Sequence, residues 1–343
     1  MKNWLPYELH THTYHSDGNH SLLEMAEAAK EMGLHGFAST DHNTMTALLD
    51  KEQVELKTSM RIIRGLEWTT FFGHMVALGV DRYVEWRDLG IDDIHTGIAR
   101  IHEAGGLAGI AHPYRVGSPL CTGCYWEYPI TDWHDVDYLE VWSYTFPSIM
   151  KSNQRAFQLW DDLLNQGYRI TGVCGRDWHV IPDNEPNPIA VSYIYCDKQE
   201  NSSVQERQVI EAISKGKVTV SVGPLLTFEI VYNNQKYEIG DEIDVSQPDE
   251  NFEILFTLDT LTRAGIWDVK EQEFTVKLKS NAGLLNELKV SPGNPNLSHT
   301  IQFDDLRWLR AELHGELMGI HTMIAFTNPV YFTNGRYIEI QGK

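Results

Sequence analysis

The first two-thirds of the sequence alternates short apolar runs with stretches of helical periodicity, and no other feature restricts the fold as much. Residues 5–10, 36–40, 61–66, 75–80, 106–111, 137–141 and 168–174 have the length and composition of strands. Amphipathic stretches lie between several of them. Residues 21–32 open with Ser21 and Glu24, the two halves of a capping box, and put Leu22, Met25, Ala26 and Ala29 on one face. Residues 94–104, 155–164 and 204–215 read the same way. This alternation is the habit of an α/β fold, with helices covering a sheet of mainly parallel strands.

Beyond residue 215 the texture changes. Strand-like runs at 218–222, 226–231, 252–258, 274–279 and 337–340 are separated by turn signals at Asn233-Asn234, Pro248-Asp249, Ser291 to Asn294 and Asn334-Gly335. A chain of 343 residues exceeds the usual size of one core. The expectation is therefore two domains, 1–222 and 223–343, the second a small β-sandwich, with the boundary near Gly223-Pro224.

Fifteen histidines are scattered through the chain, and several recur immediately after a predicted strand. His10 and His12 follow the first, His42 the second, Glu67 the third, His112 the fifth, and Asp177 and His179 the seventh. Asp17 lies in the loop after the first strand and His74 just before the fourth. In a barrel of parallel strands the C-terminal ends meet at one mouth, so residues distant in sequence become neighbours. Side chains two apart on an extended segment share a face, which lets His10 pair with His12 and Asp177 with His179 on one cation.

The donors are imidazole and carboxylate without thiolate, which suits zinc, manganese or iron better than magnesium. Nine candidate ligands exceed the needs of one ion, so two or three divalent metals are expected, with Glu67 as the natural bridge. Coordination positions left open for water and substrate mark a catalytic centre. The reaction expected there is hydrolysis by a metal-bound hydroxide.

The motifs HTHTYHSDG, STDHN, GLEW, GHMVALG, AHP and GRDWH, in that order, resemble those of the PHP (polymerase and histidinol phosphatase) family. The resemblance covers nearly all of residues 1–220. The tail, with GPLLTFEI and FTNPVYFTNG, is similar to the C-terminal part of the carbaryl-esterase-like branch. The family resemblance implies a distorted (β/α)7 barrel with two or three metals at its mouth. By motif, His10, His12, Glu67 and Asp177 would hold one metal, Glu67, His74 and His112 a second, and Asp17, His42 and His179 a third. Some trinuclear relatives use a histidine in the role assigned to Asp17, and Arg176 stands where a small residue is commoner.

The same resemblance implies a phosphoesterase acting on a small phosphorylated molecule. The tail implies an alternative, hydrolysis of a carboxyl ester or carbamate. A non-catalytic binding protein stabilised by metal is the rival of another class. A phosphate would want a cationic clamp, and Arg115 and Arg176 are the nearest candidates to contact substrate. Glu140, near the end of the sixth strand, can orient a ligand histidine. Asp41 and His15 are weak candidates for protonating the leaving group.

Other features read plainly. Cys121 and Cys124 lack the two further ligands of a closed zinc site and are expected to be ordinary thiols, as are Cys174 and Cys196. His20, His35, His95, His102 and His134 are expected to be exposed. A net charge of −20 disfavours nucleic acid and anionic membranes as partners. No apolar run approaches the ~20 residues that span a bilayer, and residues 1–4 start no secretory signal. With only four cysteines, the cytoplasm is the expected compartment.

Overall fold

The computed structural model describes residues 4–117, 123–181, 187–196, 205–245, 251–267, 269–302 and 305–333. The first half contains β1 (Trp4–Thr11), α1 (Leu22–Glu31), β2 (Gly36–Ser39), α2 (Lys51–Thr58), β3 (Arg61–Thr69), β4 (His74–Leu78), α3 (Ile94–Glu103), β5 (Leu107–Ile110), β6 (Tyr138–Ser143), α4 (Lys151–Gln166) and β7 (Thr171–Gly175). Next come β8 (Val191–Tyr195), α5 (Glu206–Ser214) and β9 (Val218–Ser221).

Local rules account for the helices. At α1 the Ser21 hydroxyl accepts from the Glu24 amide and the Glu24 carboxylate accepts from the Ser21 amide, while Leu22, Met25, Ala26 and Ala29 are buried. Gly167, left-handed at φ 96°, stops α4, a position where a side chain would be strained.

Strands β8, β1, β2, β3, β4, β5, β6 and β7 lie side by side in that order. The pairs β1–β2, β2–β3, β5–β6 and β6–β7 are parallel. The parallel arrangement is interrupted at β4, which is antiparallel to both β3 and β5. The link from Thr69 to His74 is too short for a crossover and makes a hairpin. The first and last strands of the series meet again beyond their ends: the His12 amide donates to the Trp178 carbonyl at 2.9 Å and the Trp178 amide to the His10 carbonyl at 3.0 Å. Every residue of β2, β4, β5, β6 and β7 is buried, as expected of strands covered on both faces.

The described residues after Ser221 form strands and their connections. They are β10 (Leu225–Tyr232), β11 (Gln235–Glu238), β12 (Glu242–Asp244), β13 (Asn251–Asp259), β14 (Phe274–Ser280), β15 (Gly283–Val290), β16 (Asn296–Gln302), β17 (Trp308–Leu317), β18 (Ile320–Thr327) and β19 (Val330–Thr333). The molecule is thus mixed α/β with a sheet-rich C-terminal region. The first sheet continues past β8 through β9 to β18, β17, β19 and β12, and β11, β10, β13 and β16 form a second sheet. The expected strand at 337–340 and the turn at 248–249 lie outside the described residues.

Two buried polar residues fasten the C-terminal strands to the first half. The Asn328 amide group donates to the carbonyls of Gly172 and Val218, and its oxygen accepts from the Gly172 amide. Arg310, fully buried on β17, bridges Asp161 of α4 at 2.6 Å and Glu312 at 2.9 Å, with its guanidinium packed on Phe157 and Trp160. Among the described residues no helix is long and apolar enough to cross a membrane.

Candidate metal centre

Strand direction places the chemistry. His10 lies on β1 and His12 just past it, and Glu67 is on β3. His42 follows β2 and bridges to Glu67 through the backbone. Because β4 is reversed, its first residue, His74, lies at the same end as the last residues of β3 and β5. The Ala111 amide donates to the His74 carbonyl at 3.1 Å, which sets His112 beside it. Asp177 and His179 follow β7. His112 and Asp177 both have left-handed backbone, φ 28° and 59°. Non-glycine residues hold that conformation at a cost, which surrounding structure must sustain.

All nine side chains singled out as ligands come together in three overlapping clusters able to hold a metal. The first is His10, His12, Glu67 and Asp177, all buried. Asp177 Oδ1 lies 2.9 Å from His12 Nε2, and Glu67 Oε2 lies 3.4 Å from His10 Nε2. The second is Glu67, His74 and His112, with Glu67 Oε1 at 2.9 Å from His74 Nδ1 and 3.3 Å from His112 Nε2. The third is His12, Asp17, His42 and His179, with Asp17 Oδ1 at 3.1 Å from His179 Nε2 and 3.4 Å from His42 Nε2. Glu67 is shared by the first two clusters and His12 by the first and third.

These groups perturb one another strongly: burial lowers His10, His42 and His179, but the neighbouring carboxylates outweigh it and hold all three above the usual imidazole range. Burial pushes the Glu67 and Asp177 carboxyls up, but the surrounding imidazoles outweigh it and hold both well below the usual carboxylate range. Burial pulls His12 down to about 4, keeping a neutral imidazole. His10 Nε2, both nitrogens of His12, both of His112, Glu67 Oε2 and Asp177 Oδ1 are buried without a hydrogen-bond partner among the described residues. Stranded polar atoms are costly to bury and call for explanation. Within each cluster one ligand atom per residue lies within 4.8 Å of the others, so these residues fit divalent cations.

Supporting contacts fix the donors. Glu140 Oε1 is 2.7 Å from His10 Nδ1, and Glu140 Oε2 accepts from the His112 amide at 2.9 Å. A Cβ on Gly175 would run into the Glu140 carboxylate and the His10 side chain, so β7 can approach only with glycine there. Sequence reasoning missed Glu8, fully buried, whose carboxylate accepts from the His10 and Arg176 amides. Burial raises its pKa to about 7. A lone acid inside an apolar run was the available signal.

Asp41 is occupied elsewhere: it accepts from the Thr13 amide and hydroxyl and from the Ser16 hydroxyl. His15 leans on the Thr46 hydroxyl at 2.8 Å. Arg115 pairs with Asp177 and sits over the Tyr144 ring, 4.1 Å from its centroid. Arg176 is buried with its guanidinium over Trp178.

His20 is buried rather than exposed, held by Asn19 at 2.8 Å. His95, His102 and His134 pair with Asp135, Asp137 and Asp132. Cys174 and Cys196 are free and buried. Cys124 is disulfide-bonded, which corrects the expectation of an ordinary thiol and weakens the cysteine argument for the cytoplasm; Cys121 lies outside the described residues.

Residues 8–102 match the family described as PHP domain. An uncharacterized protein of Methanocaldococcus jannaschii is 29% identical over an alignment of 125 residues that covers 33% of this chain and 69% of that protein. Among solved structures, a two-domain protein of Bacteroides vulgatus, described as containing a predicted PHP-like metal-dependent phosphoesterase, aligns over 95% of each chain with TM-score 0.53 and 13% identity. At that identity the likeness is one of fold.

Proposed function

We propose that this chain, whose residues 8–102 match the PHP domain, is a metal-dependent phosphoesterase acting on a small phosphorylated molecule. The observation that carries this reading is the convergence of stranded imidazole and carboxylate atoms at the strand ends. Two or three cations, manganese, zinc or iron, would be held by His10, His12, Glu67 and Asp177, by Glu67, His74 and His112, and by Asp17, His42 and His179 with His12. Such ions, when bound, acidify water and neutralise charge on phosphoryl oxygens.

The protein's own groups do the rest. Glu140 accepts the Nδ1 proton of His10, turning Nε2 toward the cluster. Arg115, part-exposed beside Asp177, supplies a cation for a phosphoryl oxygen. The reading takes residues 1–222 as the PHP barrel and 223–343 as a β-sandwich-like accessory domain. The charge of −20 supports a small-molecule substrate over nucleic acid.

Elemental analysis followed by assays with p-nitrophenyl phosphate, bis-p-nitrophenyl phosphate and p-nitrophenyl acetate tests the proposal. The phosphate esters should turn over, and the double variant His10→Ala, His12→Ala should lose both metal and turnover while keeping its circular dichroism. Turnover of the acetate alone would replace this reading with the carboxyl-ester alternative. Bound metal without turnover of any ester would favour a binding protein.

A further inference from the structure

Beside the candidate metal centre lies a cavity of about 600 Å³. Its lining includes Tyr114, Arg115, Tyr144, Lys151, Ser152 and Arg155, and no carboxylate is among the described lining residues. Three cations around one cavity stand out in a chain of net charge −20. Lys151 and Arg155 form no ion pair among the described residues. Arg155 instead lies over the Tyr114 ring, 4.3 Å from its centroid. Arg115 joins this cavity to the metal centre, since its guanidinium pairs with Asp177 and stacks on Tyr144.

Tyr144 is itself unusual. Its hydroxyl is buried without a hydrogen-bond partner among the described residues, and its backbone is left-handed at φ 65°. It shares that conformation with His112 and Asp177, so each of β5, β6 and β7 is followed within two residues by a strained position facing the same end of the sheet.

We propose that this cavity is a substrate subsite for a second anionic group, phosphate or carboxylate, carried at a distance from the phosphoester. Lys151 and Arg155 donate to that group, Tyr144 forms part of the wall, and Arg115 stands between it and the reacting phosphate. The proposal rests on the phosphoesterase reading for its first anion and on the cavity for its second.

The test uses the full-length, manganese-loaded protein and three ligands of similar body: glucose phosphate, fructose bisphosphate and phosphogluconate. Fructose bisphosphate or phosphogluconate should exceed glucose phosphate in kcat/KM by about tenfold or more, mainly through KM. Which of the two is favoured tells phosphate from carboxylate. In the double variant Lys151→Ala, Arg155→Met, at exposed positions of α4, the preference should vanish. If neither these three nor the p-nitrophenyl phosphate esters release phosphate, the phosphoesterase reading falls, and calorimetric Kd values for the same ligands and variants then decide the subsite. Equal wild-type affinity for one-anion and two-anion ligands, or a preference that the double variant keeps, overturns it.

Discussion

Glu140 belongs to none of the three clusters, yet both its oxygens serve them. It fixes the tautomer of His10 and, through the His112 amide, the backbone that carries a second candidate ligand. Glu140→Gln keeps the size but puts an amide donor against either His10 or the His112 amide. Metal affinity, read by competition with a chelator, should fall about ten- to hundredfold with the fold intact; unchanged affinity would make Glu140 a packing residue only. At this scale most candidate ligands were legible because strand ends and residue type both pointed to them, whereas Asp17 and His74 were placed mainly by the family motif. Tyr144 was not legible, since nothing in its side chain announces a left-handed backbone.

Among the elements, the direction of β4 is written in the length of its connection. The predicted third and fourth strands leave only residues 67–74 between them, fewer than the dozen or so a parallel crossover requires. The reversal is what brings His74 to the site. Strand β17, by contrast, was hidden. Arg310 and Glu312 are buried within it, so its sequence lacks the apolar run that marks a covered strand. That burial makes a prediction about β17 and α4. Arg310→Leu would leave Asp161 and Glu312 facing each other's charge without the cation, and should cost about 3 to 5 kcal/mol in denaturant unfolding. A loss under about 1 kcal/mol, the level of a surface pair, would show that water reaches the cluster.

For the molecule as a whole, the question is whether residues 1–222 stand alone. The sequence suggested a boundary at Gly223 from a change of texture, a signal that reports composition and not pairing. In the structure β9 pairs with β18, and Asn328 fills the backbone hydrogen bonds of Gly172 on β7, three residues before Gly175 and five before Asp177. Deleting residues 223–343 should therefore lower the melting temperature and the retained metal together. A truncated protein that melts cooperatively and keeps its metal would establish the first 222 residues as an independent domain. The β3–β4 hairpin has one more consequence, which concerns the order in which the chain leaves the ribosome. Glu67 and His74 are seven positions apart, and His112 follows soon after. The contact that closes β1 on β7, from Glu8 to Arg176, spans 168 positions. Loop closure over such a span comes late and cannot begin until Arg176 has been synthesised. The Glu67, His74 and His112 cluster is thus the first whose donors have all been synthesised, and a cation captured there is in place before Asp177 and His179, which complete the other two clusters, have been made.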